Sequence, residues 1–258
     1  YAMTPGKKLE LDLADFAIAP SETVISLNNK SNSVNAVAVY AILQEDLSSI
    51  ASLKSSGIKS PKHLDDKIYA SYKARYEDHI VRQMVKNDDG QGSFKIINPD
   101  KLGIWNTLLE GQADATWIFD NWEGVEADSK NVELTKFKMD DYDIPYGYSP
   151  IVLTKRENLS AQKDVYLNFI KATQKGFLYV EENLDEAASI LKPYLTPYDL
   201  ENIAIEKSLT MTFPYFGNPN NCGKMNPKKV HKFLQWLVDN ELEDKKILEQ
   251  ELFTNALF

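Results

Sequence analysis

The spacing of apolar residues predicts that short strands and helices alternate through the first part of the chain. Apolar runs of strand length stand at 13–19, 34–43, 49–53, 67–72, 94–97, 113–119 and 132–137. The clearest helix runs from Tyr76 to Lys86, and shorter helices are expected after an N-cap at Ser21 and at 62–66, 102–109 and 121–128. This alternation predicts an α/β lobe with a largely parallel sheet.

The C-terminal part of the chain has a helical texture instead. Val165, Phe169, Ala172, Phe177 and Val180 are spaced for one face of a long helix. Further helices are predicted at 185–191, 198–208, 227–240 and 245–252. The segment 216–221 is rich in Gly, Pro and Asn, which predicts a long loop.

The stretch 140–154 joins these two regions. It begins with carboxylates, continues through three tyrosines and two prolines, and ends in an apolar, β-prone run. Gly147, between two of the tyrosines, is expected to supply backbone angles that other residues resist. We therefore expect a ligand-facing loop that becomes a buried strand and acts as a hinge. The alternative is a tyrosine-rich surface loop before an ordinary strand.

Composition excludes several classes of function. The 258 residues are 43% hydrophobic and 26% charged, as in globular proteins, and the net charge is -9. Nucleic acids and anionic membranes attract basic surfaces, so no nucleic-acid partner is expected. No apolar window reaches the length of a membrane span, and no signal-peptide pattern opens the chain. Cys222 is the only cysteine and the three histidines are scattered, so no metal site is predicted.

Two segments repeat one pattern. A small residue, an aspartate and an apolar run occur at Asp15 and again at Asp114, and each leads into a turn and a helix. A carboxylate stands near the start of each helix, Glu22 in one case and Glu123 in the other. Ligands of open α/β sheets bind beyond the carboxyl ends of strands, so these two ends are expected to face each other across a cleft. Chance similarity of two short segments is the alternative.

Several short motifs, in order along the chain, resemble one known family. They are Ala14–Ile18, Gly57-Ile58 with Pro61 and Leu64, Leu109–Ala115, Tyr142–Pro145 and Leu252–Asn255. The chain resembles the type II periplasmic solute-binding proteins, in the branch of the thiamine-pyrimidine-precursor and sulfonate or nitrate binders. The pyrimidine synthases of thiamine biosynthesis belong to the same superfamily.

The resemblance implies an α/β fold of two lobes joined by two crossing hinge strands, at 39–43 and 149–154. Lobe I is expected to comprise 1–43 and 149–258, with a helical C-terminal part, and lobe II to comprise 44–148. The N-terminal strand-helix-strand unit of the family's first lobe has no counterpart before Tyr1. The chain is therefore expected to be a fragment or a processed form, or to complete that lobe differently.

The enzymes of this superfamily carry groups that this sequence lacks. The synthase has a histidine in the helix after its Asp-containing strand and a cysteine-rich run at its second crossing strand. The matching segments here are 21–25 and 146–150, which contain neither histidine nor cysteine. No phosphate-binding glycine loop, nucleophile elbow or zinc-protease motif is present. We therefore predict no catalytic residue, no cofactor and no enzyme activity.

The candidate ligand-binding residues are aromatic and acidic side chains near the predicted strand ends. They are Ser21, Glu22, Arg75, Tyr76, Trp117, Trp122, Glu123, Asp143, Tyr146 and Tyr148. Aromatic faces suit planar ligands, and the carboxylates would accept hydrogen bonds from ligand amino groups. Trp117 and Phe119 share a strand face that could equally be core, whereas Trp122, in a turn, is harder to explain as core. Arg75 could pair with a ligand carboxylate, although a surface role is the simpler explanation.

We therefore predict a solute-binding protein that captures a small planar heterocycle of the thiamine-precursor kind in a cleft between the lobes. Its expected partners are this small-molecule ligand and an ABC-transporter permease. Its expected location is outside the cytoplasm, periplasmic or anchored through a removed N-terminal segment. The alternatives are a thiamine-pyrimidine biosynthetic enzyme of the same fold, a sulfonate or nitrate binder, and a regulatory or structural descendant without a ligand.

Overall fold

The chain folds into two compact units, each built from separate stretches of sequence. A computed structural model describes residues 3–99 and 104–258. Unit 1 comprises residues 1–46, 147–187 and 213–258, and unit 2 comprises 47–146 and 188–212. The lobe boundaries predicted from the sequence stay a prediction, and they differ from these units because residues 188–212 group with unit 2. No helix in the described ranges is long and apolar enough to cross a membrane.

Unit 1 contains a three-stranded antiparallel sheet. Its strands are β1 (Ala17–Ala19), β2 (Ala36–Ala41) and β8 (Ile151–Lys155), in the order β1-β8-β2. Every residue of β2 is buried, as expected for an Ala- and Val-rich run without alternation. Its helices are α1 (Pro5–Glu10), α2 (Glu22–Asn28), α6 (Arg156–Ala161), α7 (Lys163–Glu182) and α11 (Pro227–Asp239). The helix α8 (Leu184–Leu191) begins in unit 1 and ends in unit 2.

Unit 2 contains a five-stranded mixed sheet. Its strands are β3 (Ser48–Leu53), β4 (Ile68–Ala70), β5 (Lys95–Ile97), β6 (Ala115–Phe119) and β7 (Leu134–Phe137), in the order β5-β4-β6-β3-β7. The strand β4 pairs in parallel with β5 and β6, whereas β3 pairs antiparallel with β6 and β7. The prediction of a largely parallel sheet was therefore wrong for half of these pairings. The helices are α3 (Glu77–Asn87), α4 (Ile104–Leu109), α5 (Glu123–Ser129), α9 (Pro197–Asn202) and α10 (Ile205–Thr212).

The register between β4 and β6 is fixed by Asp114. The backbone N–H of Asp114 donates to the carbonyl oxygen of Ile68 at 2.7 Å. The N–H of Ile68 in turn donates to the Asp114 carboxylate at 2.8 Å. A buried hydrogen bond of 2.8 Å from the Thr116 hydroxyl to the carbonyl oxygen of Ala70 adds a second link. The Asp114–Ile68 pair thus links the amino ends of the two parallel strands, and the Thr116–Ala70 bond lies at the carboxyl end of β4.

Most predicted elements are present, and the exceptions have local causes. The predicted strand 13–19 is strand only at Ala17–Ala19, since only these three residues pair with β8. The predicted helix 198–208 divides into α9 and α10, since Ile203 is extended between them. The segments Pro61–Leu64 and Lys245–Glu249 are 3-10 helices. The first two residues of the predicted helix 102–109 lie outside the described residues.

A close backbone approach in unit 1 yields a stability prediction. Gly223 has φ +83°, and a Cβ atom there would lie 2.1 Å from the ring of the fully buried Tyr40. We expect Gly223→Ala to lower the free energy of unfolding by about 2 kcal/mol or more, through strain and overlap. Gly176→Ala in α7, with nothing within 4 Å of the added atom, should stabilise the protein by up to about 1 kcal/mol. Urea unfolding of both variants checks this, and equal effects would contradict it.

Candidate functional site

The turn that follows β4 is closed by one buried carboxylate. Glu77, the first residue of α3, accepts hydrogen bonds from the Tyr69 hydroxyl at 2.9 Å and from the Tyr72 amide at 3.0 Å. It also accepts from the Ala74 amide at 3.1 Å. Burial raises the pKa of Glu77, and these three hydrogen bonds oppose that rise. Two amides of this turn thus hold a carboxylate, which is the chain's own.

The turn that follows β6 carries a second group of polar side chains. Asp120 is buried, accepts a hydrogen bond from the Ser49 hydroxyl at 2.9 Å and lies 3.1 Å from the Lys136 ammonium group. Asn121 donates to the Thr212 hydroxyl at 2.8 Å, and its carbonyl oxygen accepts from Ser208 at 2.6 Å. The helix α10 therefore anchors this turn within unit 2.

Glu123 begins α5, and Glu22 begins α2, as the repeated sequence pattern predicted. The Glu123 carboxylate accepts from the Phe119 amide at 2.9 Å. Burial raises its pKa, and this hydrogen bond opposes the rise. Glu22 is buried at the start of its helix in unit 1.

Tyr72 lies in the turn after β4, where its amide donates to Glu77, and it was not among the predicted site residues. Burial raises the pKa of its hydroxyl, and the nearby carboxylates of Glu123 and Glu77 raise it further. The hydroxyl of Tyr72 therefore lies within electrostatic reach of both acids. Its position directly after β4 was the signal that could have identified it, since the residues beyond strand ends line ligand sites.

Trp122 has a structural role that the sequence did not predict. Its half-buried indole packs against a hydrophobic cluster that includes Val125, Ala188, Ile203 and Ile205. The expectation that Trp122 is hard to explain as core was therefore wrong. The residues 188–212, which are distant in sequence, supply the surface that covers it.

The other aromatic candidates of unit 2 form pairs. Trp117 and Tyr146 are both buried, and their rings meet edge-to-face with centroids 5.3 Å apart. Phe119 is 41% exposed, so the face it shares with Trp117 is only partly core. Arg75 donates to the hydroxyl of the buried Tyr76 at 2.8 Å while remaining exposed itself.

Asp143 lies apart from these groups. It is exposed, in a left-handed turn after the 3-10 helix Asp140–Tyr142. Within the described part of the chain, no hydrogen bond or ion pair joins its carboxylate to the other predicted site residues. In unit 2 a hydrogen bond joins the Tyr72 amide to Glu77, and no such bond joins Asp143 to either residue within the described ranges.

In unit 1 the structure brings together Ser21 and Tyr148. The Ser21 amide donates to the Tyr148 carbonyl oxygen at 3.2 Å. The Tyr148 ring is buried, its hydroxyl accepts from the Asn226 amide at 2.9 Å, and the Lys229 ammonium group lies 4.7 Å from the ring centroid. The carbonyl oxygen and the hydroxyl of Tyr148 thus both accept hydrogen bonds from residues of unit 1.

Gly147 is needed for space and not for unusual backbone angles, which corrects the sequence expectation. Its φ is not among the positive values of the chain. A Cβ atom at this position would lie 2.8 Å from the Ser21 hydroxyl oxygen and 3.0 Å from the Phe233 ring. The predicted passage from a loop into a buried strand is confirmed, since Ile151 to Leu153 are buried in β8.

Solved structures establish the fold. The alkanesulfonate-binding protein SsuA from Xanthomonas axonopodis pv. citri, bound to MOPS, superposes with a TM-score of 0.72 at 11% identity, covering 97% of this chain and 85% of that one. The ligand-binding component of an ABC-type import system from Staphylococcus aureus gives a TM-score of 0.70 at 15% identity, covering 97% and 81%. The protein thus has the fold of the periplasmic binding proteins, as the sequence predicted.

The family follows from the sequence comparison. The profile described as NMT1/THI5 like matches residues 4–187, and the chain belongs to this family. A formylaminopyrimidine-binding protein of Halalkalibacterium halodurans is 21% identical over 237 residues, covering 88% of this chain and 70% of that protein. The predicted superfamily and branch are confirmed.

The packing of Trp122 yields a stability prediction. We expect Trp122→Ala to lower the free energy of unfolding by about 1–3 kcal/mol, because the truncation uncovers the hydrophobic cluster beneath the indole. Phe119→Ala removes an exposed ring from the preceding strand end and should cost less than about 0.5 kcal/mol. Chemical denaturation measures both. A Trp122→Ala variant as stable as the unmodified protein would show that the indole is not part of the core.

Proposed function

We propose that this protein is a solute-binding protein that captures a small planar heterocycle carrying amino groups, of the thiamine-pyrimidine-precursor kind. One observation carries this proposal: the carboxylates of Glu77 and Glu123 follow the ends of β4 and β6, where Glu77 accepts from the Tyr72 amide and Glu123 accepts from the Phe119 amide. Burial raises the pKa of both acids. A carboxylate accepts hydrogen bonds, and a tyrosine offers both an aromatic face and a hydroxyl. A ring with amino donors is the ligand that matches this set.

The relatives support the same class of function. The formylaminopyrimidine-binding protein carries a pyrimidine ligand in its name, and the two structural neighbours are named as binding components. By this analogy, we propose that the partner is an ABC-transporter permease and that the protein is located outside the cytoplasm. Glu123 is the proposed acceptor in unit 2, and Glu22, with Ser21 and Tyr148 beside it, supplies the proposed contacts of unit 1. Arg75, Tyr76, Trp117 and Tyr146 are proposed to shape the surface around these acceptors.

A sulfonate or nitrate ligand is the weaker candidate, although the structural neighbours include several sulfonate-binding proteins. Glu77 and Glu123 would both repel an anion at the strand ends of unit 2. Lys136 is already paired with Asp120, and Lys73 is an exposed cation of the turn after β4. Arg75 remains as a cation that could meet an anion, but its guanidinium group already donates to Tyr76.

Ligand selectivity tests the proposal. In calorimetric titrations we expect a formylaminopyrimidine to bind, and taurine and nitrate to give no heat of binding. Glu123→Gln keeps the shape and an oxygen that can accept from the Phe119 amide, but removes the charge. It should weaken heterocycle binding by on the order of tenfold, the usual value of a charge-assisted hydrogen bond over a neutral one.

The pH dependence provides the control for this experiment. The carboxylate form of Glu123 accepts ligand donors, so affinity should fall as the pH falls through its raised pKa, above the ordinary glutamate value of about 4.3. The Glu123→Gln variant lacks this titration and reports protonation of the ligand alone. Tight taurine binding, or identical pH profiles for the two proteins, would contradict the assignment of Glu123.

The alternative function is a pyrimidine-forming enzyme, since fold and family membership alone do not decide between binding and catalysis. The segments 21–25 and 146–150 lack the histidine and cysteines expected of the synthases. We therefore expect no pyrimidine product when the protein is incubated with pyridoxal phosphate, iron and oxygen, as measured by mass spectrometry. Product formed in a one-to-one ratio with protein would replace the binding function with the enzymatic one.

A further inference from the structure

The turn between β4 and α3 has the form of an anion-binding backbone loop that is already filled. Its three consecutive amides all have acceptors within the turn. Those of Tyr72 and Ala74 donate to the Glu77 carboxylate, and that of Lys73 donates to the Ser71 hydroxyl oxygen at 3.0 Å. Lys73 has a left-handed backbone with φ 59°, and the amides on either side of it, those of Tyr72 and Ala74, converge on the Glu77 carboxylate.

This carboxylate is held more firmly than a surface cap. The Glu77 side chain is buried, and the hydroxyl of Tyr69, which is itself buried, donates to it as a third partner. An external anion could use these amides only by displacing Glu77, which would then lose its three hydrogen bonds. It would also approach Glu123, which lies close enough to act on the same Tyr72 hydroxyl.

We propose that Glu77 is a specificity-determining residue, a resident anion that fills the amide turn after β4 and restricts the ligand to neutral or cationic compounds. The identity of the ligand rests on the function proposed above, whereas the occupation of the turn is a separate claim. Glu77 then acts in two ways. It accepts the hydrogen bonds of the amides that would otherwise bind a sulfonate or carboxylate, and it contributes a negative charge beside Tyr72.

The first experiment tests occupation of the turn and needs no knowledge of the natural ligand. Glu77→Ala leaves two amides and the Tyr69 hydroxyl without their acceptor and opens room for a small carboxylate. Formate should therefore raise the unfolding temperature of Glu77→Ala saturably. It should leave the unmodified protein and Glu77→Gln unchanged, since both still fill the turn. No formate effect on folded Glu77→Ala, or the same effect on all three proteins, would overturn the proposal.

The second experiment tests selectivity and stands even if Glu77→Ala does not fold. Glu77→Gln keeps an oxygen for the Tyr69 and Tyr72 donors but removes the charge. The ratio of heterocycle affinity to methanesulfonate affinity should fall by on the order of tenfold in this variant. Glu126→Gln is the control, because Glu126 is an equally buried acid of unit 2 whose partners are the Lys130 and Tyr198 side chains.

The two experiments separate the two proposals. A ratio that is unchanged in Glu77→Gln, or that falls equally in Glu126→Gln, would overturn the selectivity role. If neither probe binds the unmodified protein, the proposed ligand class is wrong, and the formate experiment alone decides whether Glu77 is the resident anion of the turn.

Discussion

The double link between Asp114 and Ile68 is the constraint on which the rest of unit 2 depends. The side chain of Asp114 accepts from the amide of Ile68, and its own amide donates to the carbonyl oxygen of the same residue. A slip of one residue between β4 and β6 would turn every side chain of one strand to the opposite face. With the register fixed, Tyr72 and Glu123 emerge from neighbouring strand ends and act on each other electrostatically.

Two acids stand just beyond the ends of the strands β4 and β6 of unit 2. Burial raises the pKa values of Glu77 and Glu123, so ionising either group in place costs free energy that hydrogen bonds must offset. Glu77 recovers this cost through three donors of its own chain. Glu123 has the Phe119 amide, and a ligand amino group would add a further donor. The negative charges of these two carboxylates, which are costly to bury, would therefore favour ligands with hydrogen-bond donors over anionic ligands.

The sequence predicted those features that local periodicity determines. The helices α3, α7 and α11 were anticipated almost to their ends, because each has apolar residues at helical spacing. The predicted face of α7 was wrong, since Val165 and Phe169 are exposed and the helix buries Tyr166 and Ile170 instead. The mixed sheet of unit 2 was not, because pairing of β3 with β6 joins residues far apart in the chain, and strand patterns do not record their partners.

The site was predicted less completely than the fold. The positions of Glu22 and Glu123 at helix starts followed from the repeated sequence pattern. Tyr72 was missed because it ends an apolar run and was assigned to a strand. Trp122 was misjudged because the cluster that covers it comes from 188–212, which no local signal connects to α5. The spacing and composition of a sequence do not predict side-chain contacts with segments that are distant along the chain.

The buried thiol of Cys222 can serve as a probe of local unfolding in unit 1. Cys222 is the only cysteine in the sequence, is fully buried, and lies 3.1 Å from the hydroxyl of Tyr40. Burial raises its pKa, so the reactive thiolate is scarce while the fold is closed. Alkylation of this one sulfur therefore requires the strand β2 and the loop around Gly223 to separate. The rate of modification reports how often unit 1 opens, without any label having to be introduced.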